Sequence, residues 1–296
     1  MYLVHFKTMS ILPLLHHRLR AEFVVETDLN LPEFKGIIWN RVFNQNLKQV
    51  ICPFHHKRCQ DCFLLSRCDY PKLLNNNTNP VLIKPPLIKD KKLERGKLFS
   101  ADFILLPAAF KSLAYLLLAL QRMGKIGIGE NFQELGQFNL RHLSYWKNGN
   151  WQLLFTDEQG LFDHLPEAFL PQLPSSPITQ LTIHLVTPLR LKHQGNVYQF
   201  SFNEFIHAIE QRIFNIKMVF PLPSKSRINT TVEELRWQKF SYYSSYQGCE
   251  ISQGGLMGTV TWQGDLTPYL PWLQAGELLQ IGHLIKFGLG WFELEF

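Results

Sequence analysis

Two stretches of this chain are written on one plan. Residues 124–140 (GKIGIGENFQELGQFNL) and 280–296 (QIGHLIKFGLGWFELEF) each follow an apolar helical segment, carry spaced glycines, and end in an aromatic strand. Glycine costs backbone entropy and weakens a strand, so its repetition before one needs a reason. A turn with positive φ is one. The approach of an anion to backbone N–H groups, as in a phosphate-binding nest, is another. In the second copy His283 and Lys286 stand between Gly282, Gly288 and Gly290, so side-chain charge and amide dipoles could meet one phosphate. A plain structural hairpin accounts for the glycines equally well. The recurrence itself limits the fold to two copies of one supersecondary unit.

The flanking periodicity says which unit. Residues 17–26 alternate as a strand, with Leu19, Ala21, Phe23 and Val25 on one face. Residues 36–51 carry a helical stripe of Ile38, Trp39, Val42, Phe43, Leu47 and Val50, opposite Asn40, Arg41, Asn44 and Lys48. A strand is expected over 97–106, a proline-opened helix over 107–123, and a strand or pair of strands over 137–146. An Asn- and Pro-rich connector over 75–86 reads as irregular. The second half runs strand 178–186, helix 202–220, strands 236–246 and 256–263, helix 266–279 and a final strand from Trp291. Strand, helix, strand, strand, helix, strand in each half is the split βαβ plan. The expected class is therefore α+β, two tandem ferredoxin-like (RRM-like, βαββαβ) domains with a cysteine-rich insertion at 52–70 in the first. The first spans 1–155, a linker rich in Pro and Ser spans 156–177, and the second spans 178–296.

Of 296 residues, 46% are hydrophobic and 18% charged, which suits a packed protein. The net charge of +6 favours an anionic partner, nucleic acid or a membrane surface. No apolar run approaches the roughly 18 residues of a membrane span. The first residues show no cleavage site and read as a lead-in to the first strand, so the expected setting is cytoplasmic and without a membrane partner.

Cys52-x6-Cys59-x2-Cys62-x5-Cys68 is the strongest chemical signal in the chain; Cys249 stands apart. Four thiolates in a loop with few apolar residues can satisfy tetrahedral zinc in a structural role. The same ligands serve an iron–sulfur cluster, and buried unligated thiols are the third reading. A zinc hydrolase is disfavoured, because four cysteines saturate the metal and no HExxH or carboxylate set is nearby. Basic residues suited to phosphates are Arg141, Arg190, Lys192, Arg212, Lys225, Arg227, Arg236 and Lys286. Tyr242, Tyr243 and Tyr246 interleave with Arg236 and Lys239, a pattern fitted to stacking single-stranded RNA.

Several pieces taken together carry a family resemblance. They are Thr187-Pro188-Leu189-Arg190-Leu191, the helix from Phe202 with Arg212, Gly254-Gly255-Leu256-Met257-Gly258, Gly264-Asp265-Leu266 and the 282–290 loop. The pieces at 52–70 and 127–138 match a subset of the same family. In this order they resemble the repeat-processing endoribonucleases of the CRISPR-associated RAMP superfamily, the Cas-six family of antiviral defence. The resemblance implies two RRM-like domains that bind CRISPR repeat RNA and cut it once per repeat. It implies cleavage that requires no metal or other cofactor: the ribose 2′-OH attacks the adjacent phosphate and leaves a 2′,3′-cyclic phosphate. Such a step needs a general base, an acid for the 5′-oxygen and cationic donors around the phosphorus, and histidine suits the first two roles.

The family often places its catalytic histidine in or just after the first helix, and helix 36–51 has none. His55 and His56, just beyond it, and His17 in the first strand are the candidates, with Arg41 or Lys48 steadying the phosphate. Exposed loop polarity or metal ligation competes for His55 and His56, and an ordinary strand edge for His17. The family also contains members without an active site. The alternative function is thus a non-catalytic RAMP subunit that holds guide RNA among the other subunits of a CRISPR effector complex.

Overall fold

The structure, a computed structural model, describes residues 15–54, 58–74, 79–130, 134–161, 176–191, 199–216, 227–244 and 249–296. The chain begins with β1 (His17–Val25) and a two-residue strand β2 (Leu29–Asn30). Helix α1 (Gly36–Ile51) and the short α2 (Asp69–Leu73) follow, with the cysteine-rich segment between them. Then come β3 (Val81–Lys84), β4 (Lys92–Leu93), β5 (Leu98–Leu105), α3 (Leu113–Ile126), β6 (Phe138–Lys147), β7 (Asn150–Thr156) and β8 (Gly160–Leu161). The second half holds β9 (Gln180–Leu189), α4 (Phe202–Asn215), β10 (Asn229–Ser244), β11 (Cys249–Gln263), α5 (Leu270–Leu279) and β12 (Phe292–Glu295).

Both halves have the expected topology. The first sheet runs β3-β5-β1-β6, extended at its β6 edge by β7 and β8; the second runs β10-β11-β9-β12. Numbered within each half, both cores read strand two, three, one, four, all antiparallel. The repeated sequence therefore occupies one topological place, the connection from second helix to fourth strand.

Three expectations need correction. The connector over 75–86 is not wholly irregular: Val81–Lys84 is a buried strand paired with β5. Pro80 and Pro85 hid a four-residue apolar run, and proline is tolerated at the ends of an edge strand. β10 starts seven residues before the expected 236, because its exposed face is polar and lacks a clean alternation. The first sheet also runs past 155, where β8 folds back on β7.

Each sheet carries its helices on one face. Leu19, Ala21 and Phe23 meet Trp39, Phe43 and Leu47 of α1 and Leu116, Leu120 and Met123 of α3 in the first core. The second core packs Phe205 and Ile209 of α4 and Leu273 of α5 on Ile183, Val260, Trp262 and Phe292. Leu82, Ile104 and Leu106, from the first half, also belong to this second core. They lie on the face of the first sheet turned away from α1 and α3, since side chains alternate along a strand.

That same face carries a cross-strand row of charge. Lys84 pairs with Asp102 and Asp102 with Arg20 across β3, β5 and β1. The Arg20 guanidinium holds Asp102 through two bonds of 2.7 and 2.9 Å and lies 4.4 Å from the Trp151 ring centre. Beside it, a cavity of about 480 Å³ opens where α5 and β12 meet the first sheet, with Arg18, Lys84, Trp146, Glu277 and Trp291 in its wall. Among the described residues no helix is long and apolar enough to cross a membrane.

Candidate nucleic-acid interface

The glycine-rich loop turns back on both halves of the chain. Gly282, Gly288 and Gly290 have φ of 86°, 79° and 72°, and Leu284 is left-handed at 62°. At Gly290 a side chain is excluded twice over, by this φ and by the Ile281 carbonyl oxygen that a Cβ would strike. The amides of His283 and Gly290 donate to the carbonyls of Arg190 and Pro188, and those of Phe287 and Gly288 to Leu284 and Ile285. These four N–H groups are thus spent inside the protein. The loop offers an anion its exposed side chains, His283 and Lys286, more than an open amide nest.

The loop docks onto the first turns of α1. A Cβ at Gly36 would collide with the Phe287 carbonyl oxygen, so glycine there lets helix and loop touch. The buried Asn40 donates from Nδ2 to the Lys286 carbonyl at 2.5 Å, and Asn44 donates to Asn40 Oδ1 at 2.9 Å. On the other side the buried Gln280 donates to the Ile83 carbonyl at 3.2 Å. At 100° per residue Ile37, Asn40, Arg41, Asn44 and Lys48 share one face of α1. A polar track therefore leads from Lys286 along Asn40, Arg41 and Asn44 to Lys48. Burial lowers the pKa of the Arg41 guanidinium, which nonetheless stays cationic at neutral pH. The asparagine pair escaped the sequence reading as part of the site, although two asparagines four apart beside an apolar stripe are its signal.

The end of the β10–β11 hairpin closes over this junction. Phe240 and Leu289 bury with Ile37, and Phe34, Tyr242, Leu284 and Phe287 pack around them. Arg190, half-buried, donates to Gln253 of β11. Tyr242 is drawn into this packing, its ring centre 6.2 Å from that of Phe287. Its position beside the loop makes it an aromatic neighbour of Lys286.

The other expected residues are spread more widely. Arg141, Arg227 and Arg236 are exposed on β6, before β10 and on β10. Arg212 is a correction: it is 4% exposed and donates to the Leu279 carbonyl at 3.1 Å, so it joins α4 to α5 inside the second half. Burial pushes its pKa down to about 10. His55, His56, Lys192, Lys225, Tyr246 and the linker residues 162–175 lie outside the described residues.

His17 packs its ring 4.2 Å from that of Phe110, and burial lowers its pKa. Phe110 belongs to a 3-10 segment, Pro107–Ser112, that contacts α2. His17 and the 52–68 segment thus share the C-terminal end of α1. The glycine loop docks near the opposite end of this 16-residue helix, which is about 24 Å long at 1.5 Å per residue.

Cys52, Cys59, Cys62 and Cys68 are all free thiols. Among the described residues no three His, Cys, Asp or Glu side chains form a metal-binding group. Tyr70, behind the segment, has its hydroxyl pushed up to about 12, first by burial and then by Cys59, Cys52 and Cys68.

The fold and the helix–loop junction can be set beside known proteins. The family model AF_1859_N, described as an N-terminal domain, matches residues 12–167, more than half of the chain. The model of the CRISPR-associated endoribonuclease Cas6 matches residues 183–292. The second match gives residues 183–292 a Cas6-type domain, and the two together support a Cas6/RAMP-type CRISPR protein. That model describes an endoribonuclease, and the match supports a part in CRISPR RNA processing. Among solved structures, a Cas6 product complex is similar at 13% identity and a TM-score of 0.58, over 95% of this chain and 100% of that one. A Cas6-related protein from Pyrococcus furiosus is similar at 9% identity and a TM-score of 0.51, over 95% of this chain and 98% of that one. A partial Cas6-RT-Cas1–Cas2 complex gives 12% identity and a TM-score of 0.53, over 95% of this chain and 46% of that one. At these identities the likeness is one of fold. No curated protein matches the sequence.

Proposed function

We propose that this protein matures CRISPR transcripts by cutting the repeat RNA without a catalytic metal, and that the RNA runs over the junction of α1 with the glycine loop. The observation that supports this reading is the contact of Asn40 with the Lys286 backbone, which sets a loop bearing two candidate cations against a polar helix face. Lys286, Arg41 and Lys48 would meet phosphates, and Tyr242 lies where a base could stack. In the reaction the 2′-oxygen bonds to phosphorus as the bond from phosphorus to the 5′-oxygen breaks. The base takes the 2′-OH proton and the acid supplies one to the departing 5′-oxygen.

His283 stands on the loop itself. His55 and His56 follow α1 in sequence, and His17 belongs to that same end of the helix. These four are the histidines to test as base or acid. The separation of the two ends gives the test its power, because a need for His283 or for His17 would also say which end of α1 holds the cleaved phosphate.

A second reading, a non-catalytic RAMP subunit that holds guide RNA beside other effector subunits, draws on one observation. The face of α1 turned to the loop bears asparagines, Arg41 and Lys48, and no histidine. The discriminating experiment is incubation with repeat RNA from the same locus in magnesium-free buffer with EDTA, followed by analysis of product ends. One cut leaving a 2′,3′-cyclic phosphate supports the nuclease. Tight binding without a cut supports the subunit, and neither binding nor cutting overturns both.

A further inference from the structure

We propose that the segment joining α1 to α2 is a structural zinc site in which the thiolates of Cys52, Cys59, Cys62 and Cys68 bind one ion. The four cysteines come from three pieces of backbone held in place independently. Cys52 caps the C-terminus of α1, its amide donating to the Lys48 carbonyl at 2.8 Å. Cys59 opens a one-turn 3-10 helix that Cys62 closes, with the Cys62 amide on the Cys59 carbonyl at 3.2 Å. Cys68 caps the N-terminus of α2, its amide on the Leu64 carbonyl at 2.9 Å. A Cys-x2-Cys turn set between two helix ends is an arrangement suited to tetrahedral thiolate coordination.

The segment lacks the means to hold itself by burial. Its 3-10 turn buries no residue, and Phe63 and Leu65 are 73% and 42% exposed. One aromatic contact, Phe54 with Phe63 at 5.4 Å, ties its two arms together. The ends are firm by contrast, since Cys52 is buried against α1 and α2 packs on both α1 and the 3-10 segment Pro107–Ser112. The described thiols are not closed into a coordination shell, so binding must draw the turn onto the two helix ends. Ordering and metal binding are then one event. The ion takes four thiolates and releases their four protons, so affinity falls as the pH drops.

The test is made on the full chain, produced in zinc-sufficient medium and purified under reducing conditions without chelator. Elemental analysis should find close to one zinc per chain and no matching iron. After metal removal, cobalt(II) should bind one to one, with the thiolate charge-transfer and visible bands of a tetrahedral site, and zinc should displace it. Cys59→Ser and Cys62→Ser should each weaken cobalt binding at least tenfold, while Cys249→Ser leaves it unchanged. The cobalt titration of the unmodified chain needs no variant to fold. A zinc content near zero with no cobalt bands overturns the proposal. So does the absorption of an iron–sulfur cluster with stoichiometric iron, or retention of full cobalt affinity by both serine variants.

Discussion

Lys84→Met is expected to make this protein more stable at neutral pH. Lys84 is 4% exposed, and its ammonium sits 4.2 Å from the Trp291 ring centre. Its pKa is pushed from 10.5 down to about 8, first by burial and further by Arg18, against the attraction of Glu277, Asp102 and Glu293. At about 1.4 kcal/mol per unit, that depression makes the charged form about 3 kcal/mol less favourable in the fold than in the unfolded chain. At pH 7 both states are protonated and the fold carries the whole penalty. Between pH 8 and 10.5 the native lysine has lost its proton while the unfolded one keeps it, so stability rises with pH across that window.

Methionine fills similar volume without the charge. It also removes a favourable neighbour from Glu277, whose pKa is already raised by burial, so the net gain at pH 7 should be about 2 kcal/mol. Urea unfolding of both proteins at pH 7, 9 and 10.5, with equal slopes, measures the gap. It should favour the variant at pH 7 and shrink as the pH rises, and groups common to both proteins cancel in the difference. A variant less stable at pH 7, with a gap that does not change with pH, would falsify the argument and mean that the ammonium is well solvated in its cavity.

Alanine at Gly290 should destabilise by more than about 3 kcal/mol, because a carbonyl oxygen must move. At Gly96, with similar φ and nothing within 4 Å, alanine should cost only roughly 1–2 kcal/mol; equal losses in thermal unfolding would refute the contact argument. Lys286→Ala and Arg41→Ala should each weaken repeat-RNA binding several-fold and flatten its salt dependence by about 0.7 in log–log slope. Unchanged slopes would remove both residues from the RNA track. Arg212→Met should leave RNA affinity and its salt dependence intact, since that buried guanidinium serves Leu279. Among His283→Ala, His55→Ala, His56→Ala and His17→Ala, a loss of cleavage of about 10²–10⁴-fold at unchanged RNA affinity marks the acid or base. If none shows it, the chemistry is not done by these histidines.

Helix α1 was legible to the residue because an apolar stripe at helical spacing is a local property. The repeated glycine plan gave the topology because each copy sits at the same connection. β3 was hidden by its flanking prolines, and its place in the sheet is a long-range fact that no local window contains. Arg212 read as a surface cation because charge suggests exposure, whereas the α5 terminus supplies a carbonyl for it to serve. Lys84 gave no sign of its burial, since the residues that enclose it come from other strands of its own sheet and from the far half of the chain. The loop glycines take the positive φ that one reading of them required, yet the use of its amides depended on carbonyls at Arg190 and Pro188 that sequence could not bring near.

Leu82, Ile104 and Leu106 complete a core whose other members all come later in the chain. The halves repeat each other in topology but are unequal in autonomy. As the polypeptide leaves the ribosome, the first sheet can form while one of its faces stays bare, with three apolar side chains exposed until α5 and β12 arrive. Translation speed and chaperone access in that interval would govern yield. Severing the chain between the sheets should give two fragments that recover one another far better than either survives alone.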